Sequence, residues 1–192
     1  LGGECVKIKW LGHASFKIKT EGKVIYVDPF AGEYDEPADL ILSTHDHYDH
    51  NAIDKVPKKE GCMVIQGECD QEFDGIKVKS VPAYNLGKPF HPRGFGVGYL
   101  ITAEGKTIYH AGDTDLIPEM KELGGKVDVA LLPIGGKYTM DLEEAKKAQG
   151  LIKAKKVIPM HYNSIEGVAR YEKHEIQIEN GLVLLSGEVI EV

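Results

Sequence analysis

The stretch Thr44-His45-Asp46-His47-Tyr48-Asp49-His50 constrains this chain more than any other. It follows Leu40-Ile41-Leu42-Ser43, a run that is apolar almost throughout and reads as a strand buried on both faces. Four imidazole or carboxylate groups (His45, His47, Asp49, His50) within six residues cannot all be core residues, because each would need a polar partner. A solvated loop is the plain alternative, but functional groups gather on loops carried by a buried scaffold. Metal binding is the economical reading. In a turn, positions two apart can point at one ion, and the adjacent Asp49-His50 pair can reach a second. Imidazole and carboxylate donors suit zinc, iron or manganese better than calcium, and no thiolate joins them as in a structural zinc knot.

The rest of the chain supplies the frame. Val6–Trp10 and Ser15–Lys19 alternate with period two, and Glu21-Gly22 turns into Lys23–Val27, which Asp28-Pro29 ends. Further strands are expected at Met63–Gln66, Ile76–Val81, Tyr99–Thr102, Lys106–Tyr109, Val127–Leu132 and Lys156–Met160. Short helices are expected at Leu116–Leu123 and Asp141–Ile152, the second opened by a capping box of Asp141 with Glu144. Glu175–Ile178 and Leu182–Leu185 read as a hairpin, followed by a last strand at Glu188–Val192. Strands leading into helices in each half point to an α/β sandwich with helices outside. The expectation is one domain spanning residues 1–192.

Composition removes several function classes. A net charge of −7 and only two Arg, Arg93 and Arg170, disfavour generic nucleic-acid binding. No apolar run reaches the roughly 20 residues of a membrane-spanning helix, and the first residues lack a secretory pattern. Cys5, Cys62 and Cys69 have no regular spacing and fit a reducing, cytoplasmic setting as spare thiols. The Lys-rich stretches at 55–59, 146–147 and 153–156 read as solvated surface.

The His-x-His-x-Asp-His loop, the Gly112-Asp113-Thr114 turn after one strand and Pro159-Met160-His161 at the end of another resemble the metallo-β-lactamase superfamily. Motif order matches from about Val6 to Asn163. Trp10-Leu11-Gly12-His13-Ala14-Ser15-Phe16, Val27-Asp28-Pro29-Phe30 and Pro133-Ile134-Gly135-Gly136 resemble its compact branch. That branch includes ascorbate-6-phosphate lactonase and, more remotely, phospholipases D acting on N-acyl-phosphatidylethanolamine. The resemblance implies an αββα sandwich, two mixed β-sheets with helices on the outer faces and the site at the sheet edges.

It also implies two divalent ions per chain, zinc foremost, with manganese or iron as alternatives. His45, His47 and His91 would hold one ion, Asp49, His50 and His161 the other, with Asp113 bridging. Such a pair lowers the pKa of a shared water and stabilises attacking and leaving oxygens. One departure stands out: Asn85 occupies the place of the expected third His. Either His91, six residues on, takes its role, or Asn85 coordinates weakly, or that site is depleted; the reading taken here is His91. Asp49, Asp113 and His13 are the candidate catalytic residues, His13 as a substrate contact or a proton donor to the leaving group. Asp28 would orient a ligand His, and His110 would be structural support. Arg93 and Tyr138 are candidate substrate-binding residues. The function implied is hydrolysis of an ester-type bond, phosphoester or lactone, in an anionic small molecule. A phosphodiesterase or nuclease and a metal-binding pseudoenzyme are the alternatives. No membrane or nucleic-acid partner is expected, and the chain would act alone or as a homo-oligomer.

Overall fold

The computed structural model describes residues 5–192. Alternating Lys and apolar side chains open the chain as β1 (Lys7–Gly12), which buries Ile8 and Trp10 and turns Lys7 outward. It pairs antiparallel with β2 (Ser15–Thr20), which pairs in turn with β3 (Lys23–Val27). β4 (Ala38–Ser43) and β5 (Lys58–Gln66) add in parallel.

The second sheet repeats this plan. β6 (Asp70–Phe73), β7 (Ile76–Ala83), β8 (Gly96–Ala103) and β9 (Lys106–His110) form an antiparallel meander. β10 (Val129–Pro133) and β11 (Lys156–Met160) then extend it in parallel. The last strand, β12 (Val189–Glu191), returns to pair with β1 in the first sheet. The expected pair of mixed sheets is thus present, each with six strands.

Ile8, Phe16, Ile18, Ile25 and Leu40 from the first sheet share one apolar cluster with Val78, Tyr99, Ile101, Ile108 and Leu131 from the second. Burial of this layer holds the sandwich together. Helices are few. Among the described residues the one α-helix, α1 (Leu142–Ile152), carries the predicted Asp141–Glu144 capping box and buries Ala145, Ala148 and Ile152.

Two expectations are corrected, and one strand is new. Leu116–Leu123 is a 3-10 turn, Pro118–Leu123, because Pro118 starts it and Gly124 stops it before an α-helix can propagate. The Glu175–Leu185 hairpin is absent. Its backbone docks on β11 instead, with Leu182 N–H donating to the Val157 carbonyl, while Ile176 and Leu184 are spent on core packing. The polar strand β6 was not anticipated from Asp-Gln-Glu-Phe, although Asp74-Gly75, both left-handed, form the hairpin turn that pairs it with β7.

Candidate metal centre

Every group named above emerges beyond the C-terminal end of a strand, at one edge of the sandwich. β1 delivers His13, β3 Asp28, β4 His45 to His50, β7 Asn85, β9 Asp113, β10 Tyr138 and β11 His161. Seven of the chain's eight histidines collect here; His174 stays outside. His13, Asp28 and His161 all hold left-handed backbone conformations, which non-glycine residues adopt at a cost where a site demands it.

Asp28 is the hub beneath the β4 turn. Fully buried, it accepts hydrogen bonds from Thr44 N–H (2.7 Å), the Thr44 hydroxyl (2.7 Å) and His50 Nδ1 (2.7 Å). Thr44 Oγ1 lies 2.9 Å from His45 Nδ1 and accepts from it, since its own proton goes to Asp28. These contacts turn Nε2 of both His45 and His50 inward, away from the residues that support the rings. The predicted orienting role of Asp28 has this geometry. His110 Nε2 donates to the Ala14 carbonyl and its Nδ1 accepts from Gly112 N–H, which braces the turn leading to Asp113.

His45 Nε2 lies 3.1 Å from His47 Nδ1, which lies 3.3 Å from His91 Nε2. Asp113 Oδ2 is 3.3 Å from His91 Nε2 and 4.0 Å from His45 Nε2. Donors about 2.0–2.1 Å from one zinc ion stand about 3.3 Å apart on a tetrahedron. The three histidine nitrogens come near that figure, while Asp113 Oδ2 meets it toward His91 and stands farther from His45.

On the other side, His161 Nε2 is 3.0 Å from Asp113 Oδ2, while His50 Nε2 is 3.4 Å from Asp113 Oδ1 and 3.8 Å from Asp49 Oδ2. Asp113 therefore faces both groups. Among the described residues, six buried side-chain polar atoms lack a hydrogen-bond partner, and four of them belong to His50, Asp113 and His161. His161 approaches Asp113 closely but is not aligned to donate to it. Converging unpaired donors are what a cation would satisfy.

Electrostatics agrees. Burial opposes charge on His50, yet Asp113 and Asp28 outweigh it and raise its pKa well above the ordinary value. Burial also opposes ionisation of Asp113, but His161 and His50 hold its carboxyl well below the usual range. Burial pushes His45 down to about 3, which keeps its ring neutral and able to ligate.

The structure places His91 and Asn85 side by side. His91 reaches the cluster, and Asn85 stands behind it. The Asn85 side-chain oxygen accepts from His91 N–H (2.9 Å) and lies 3.2 Å from His91 Nδ1, as does the Tyr138 carbonyl. Asn85 Nδ2 donates to Asp115 and to the Tyr138 carbonyl. Lys88 ties the same loop to Asp115, Gly136 and Thr139. Asn85 thus holds the His91 imidazole toward the cluster.

Two residues named from the sequence lie off the open cavity. His13 is only 1% exposed and does not line the open cavity. Its Nε2 donates to Asp49 (3.0 Å) while Nδ1 accepts from Ser164 (2.6 Å), so it holds a carboxylate. Burial works to raise Asp49, but this hydrogen bond and His50 bring its pKa down to about 2. Arg93 is also off the cavity. It pairs with Glu119 (2.7 Å) and lies over the Tyr84 ring, with its side chain mostly exposed.

Tyr138 does line the cavity, a space of about 680 Å³ over the cluster, with His47, Asp49, His91, Asp113 and His161. Phe90, Lys137, Ile165 and Glu166 complete the wall and were missed. Lys137 and Phe90 adjoin residues already singled out, whereas 165–167 carry no sequence signal. Gly135 packs so tightly on His161 that a methyl group there would collide with its carbonyl and crowd its ring.

Comparison with known proteins places this geometry. A family model described as a beta-lactamase superfamily domain matches residues 7–161. A UPF0173 metal-dependent hydrolase of Thermococcus kodakarensis is 38% identical over an alignment covering 86% of this chain and 88% of its own. Its counterpart from Nanoarchaeum equitans is 41% identical, covering 83% and 85%. A solved metallo hydrolase of Ignicoccus hospitalis superposes with a TM-score of 0.82 at 28% identity, covering 98% of this chain and 99% of that one. The superposition shows that the solved protein shares the two-sheet frame. The chain belongs to the beta-lactamase superfamily, among its metal-dependent hydrolases.

Proposed function

We propose that the protein binds two divalent ions and hydrolyses an ester-type bond, phosphoester or lactone, in an anionic small molecule. The observation that carries this reading is the convergence of unpartnered buried atoms on His50, Asp113 and His161 beside the open cavity. His45, His47, His91 and Asp113 would hold one ion, and Asp49, His50, His161 and Asp113 the other. The donor set favours zinc, with manganese or iron as alternatives. When bound, such ions polarise the scissile group and supply a nucleophile at neutral pH.

The chain's own residues do the positioning. Asp28 and Thr44 fix the tautomers of His50 and His45, and Asn85 with the Tyr138 carbonyl fixes that of His91. His13 keeps Asp49 ionised and turned toward the cluster. Phe90 and Tyr138, packed edge to face at 4.8 Å, form an aromatic wall against which a substrate can be held. Three unpaired thiols suit a cytoplasmic location.

Elemental analysis of protein purified without chelators is expected to give two ions per chain, falling toward one in His91→Ala. His47→Ala is expected to lose metal and hydrolysis together on a panel of phosphoesters and lactones. Full activity retained in His47→Ala would refute the reading.

A further inference from the structure

Among the residues lining the cavity there is one ammonium or guanidinium group, that of Lys137. Its Nζ lies 4.9 Å from the centroid of the Tyr138 ring. Its stem crosses Gly167, where an added methyl would come within 3.0–3.1 Å of the Tyr138 hydroxyl, Lys137 Cδ and Lys137 Nζ. The loop after β10 and the loop after β11 therefore close on each other at this point. Gly167, with φ +87, leaves the space the Lys137 stem occupies.

No described residue offers a hydrogen-bond acceptor to Lys137 Nζ or a partner to the Tyr138 hydroxyl, and no described carboxylate lies within ion-pair distance of Nζ. Glu166 shares the wall but stands outside that distance, and Asp49 and Asp113 face the histidine cluster. Arg93, the cation expected from sequence to meet substrate, is committed to Glu119. One ammonium and one hydroxyl are left unspent on the cavity wall. Phe90 and Ile165 line the same cavity and offer an apolar surface beside them.

We propose that Lys137, with the Tyr138 hydroxyl, binds an oxyanion of the substrate, a carboxylate or a phosphate, that is not part of the bond being cleaved. The substrate class is then an ester whose acyl or alcohol part carries a charged group separated from the reacting bond by an apolar spacer. The location of the reacting end rests on the hydrolase reading above; the anion site itself does not.

The test reads binding rather than turnover. Zinc-loaded protein is titrated calorimetrically with dicarboxylates from succinate to adipate and with the monocarboxylate of each matching length. One carboxylate can engage the loaded cluster and only the dicarboxylate can also reach Lys137. At least one dicarboxylate is expected to bind more tightly than its monocarboxylate. That preference should fall about fivefold in Lys137→Gln and further in Lys137→Glu, as for a partly exposed ion pair. Lys147→Gln, the same charge change on the exposed side of α1, should keep the preference. 3-Phosphonopropionate beside succinate, which has the same two-carbon spacer, distinguishes phosphate from carboxylate as the favoured oxyanion. The proposal is overturned if no dicarboxylate outbinds its partner, or if the preference survives in Lys137→Gln. Because no turnover is needed, failure of hydrolysis with every ester would sink the hydrolase reading and leave this result standing.

Discussion

The two flanks of the cluster are held in different ways. On the β4 flank, His45 and His50 are fixed by Asp28 and Thr44, which sit directly at strand ends and are fully buried. On the β7 flank, His91 arrives on a loop and is fixed by a relay of side chains, Asn85, Asp115 and Lys88. The first support is built into the sheet. The second is assembled on top of it. A carboxylate in the first flank therefore serves both fold and site, whereas the second flank can fail while the sandwich persists.

The largest effect should come from Asp28→Ala. Three donors lose their acceptor inside the core, which costs about 3–5 kcal/mol, or roughly 10 °C in thermal midpoint for a chain of this size. Metal content should collapse with it. A midpoint unchanged in this variant would break the contrast.

Asn85→Ala should leave the midpoint near that of the parent but weaken one ion about 10–100-fold, read by competition with a chelator. Equal weakening of both ions would mean the flanks are not independent. Arg93→Ala, at the outer end of the same loop, should change hydrolysis of anionic esters little and stability by under about 1 kcal/mol. A raised KM would return Arg93 to the substrate site.

The smallest effect lies on the outer face of the first sheet, remote from both flanks. Lys17 is nearly buried and bonds Asp35 and Glu36, whose carboxyls it holds below their ordinary values of 3.8 and 4.5. Groups lowered in the folded state stabilise it above their unfolded pKa and lose that contribution as pH falls. Lys17→Met should therefore flatten the decline of the thermal midpoint below about pH 4.5, by about a degree or two.

The same contrast explains what could be read from the chain. The β4 flank was legible because its ligands lie within six residues and follow an apolar strand. Asp28 was legible because Asp-Pro ends one. His91 could be named only as a candidate, since its distance from β7 says nothing of where the loop folds back; the deciding contacts run from Asn85 to residues 30 and 53 positions away. The positions of His13 and Arg93 off the cavity were illegible for the same reason. Their partners, Ser164 and Glu119, are set by tertiary packing and leave no local pattern. The strand positions were readable from alternation and turn residues. The docked segment before β12 was not, because its apolar residues pack on β11 rather than on each other.

Gly135 gives the centre a property that belongs to no ligand. The position of His161 is bounded by an atom that is missing, the methyl group that any other residue would place against its carbonyl and ring. Clearance there is fixed by the in-register parallel pairing of β10 and β11, from Val129 opposite Lys156 to Pro133 opposite Met160. The spacing of two strands is thereby converted into the reach of one imidazole. A one-carbon substitution outside the cluster would shift its aim, and all seven proposed ligands would remain in the sequence.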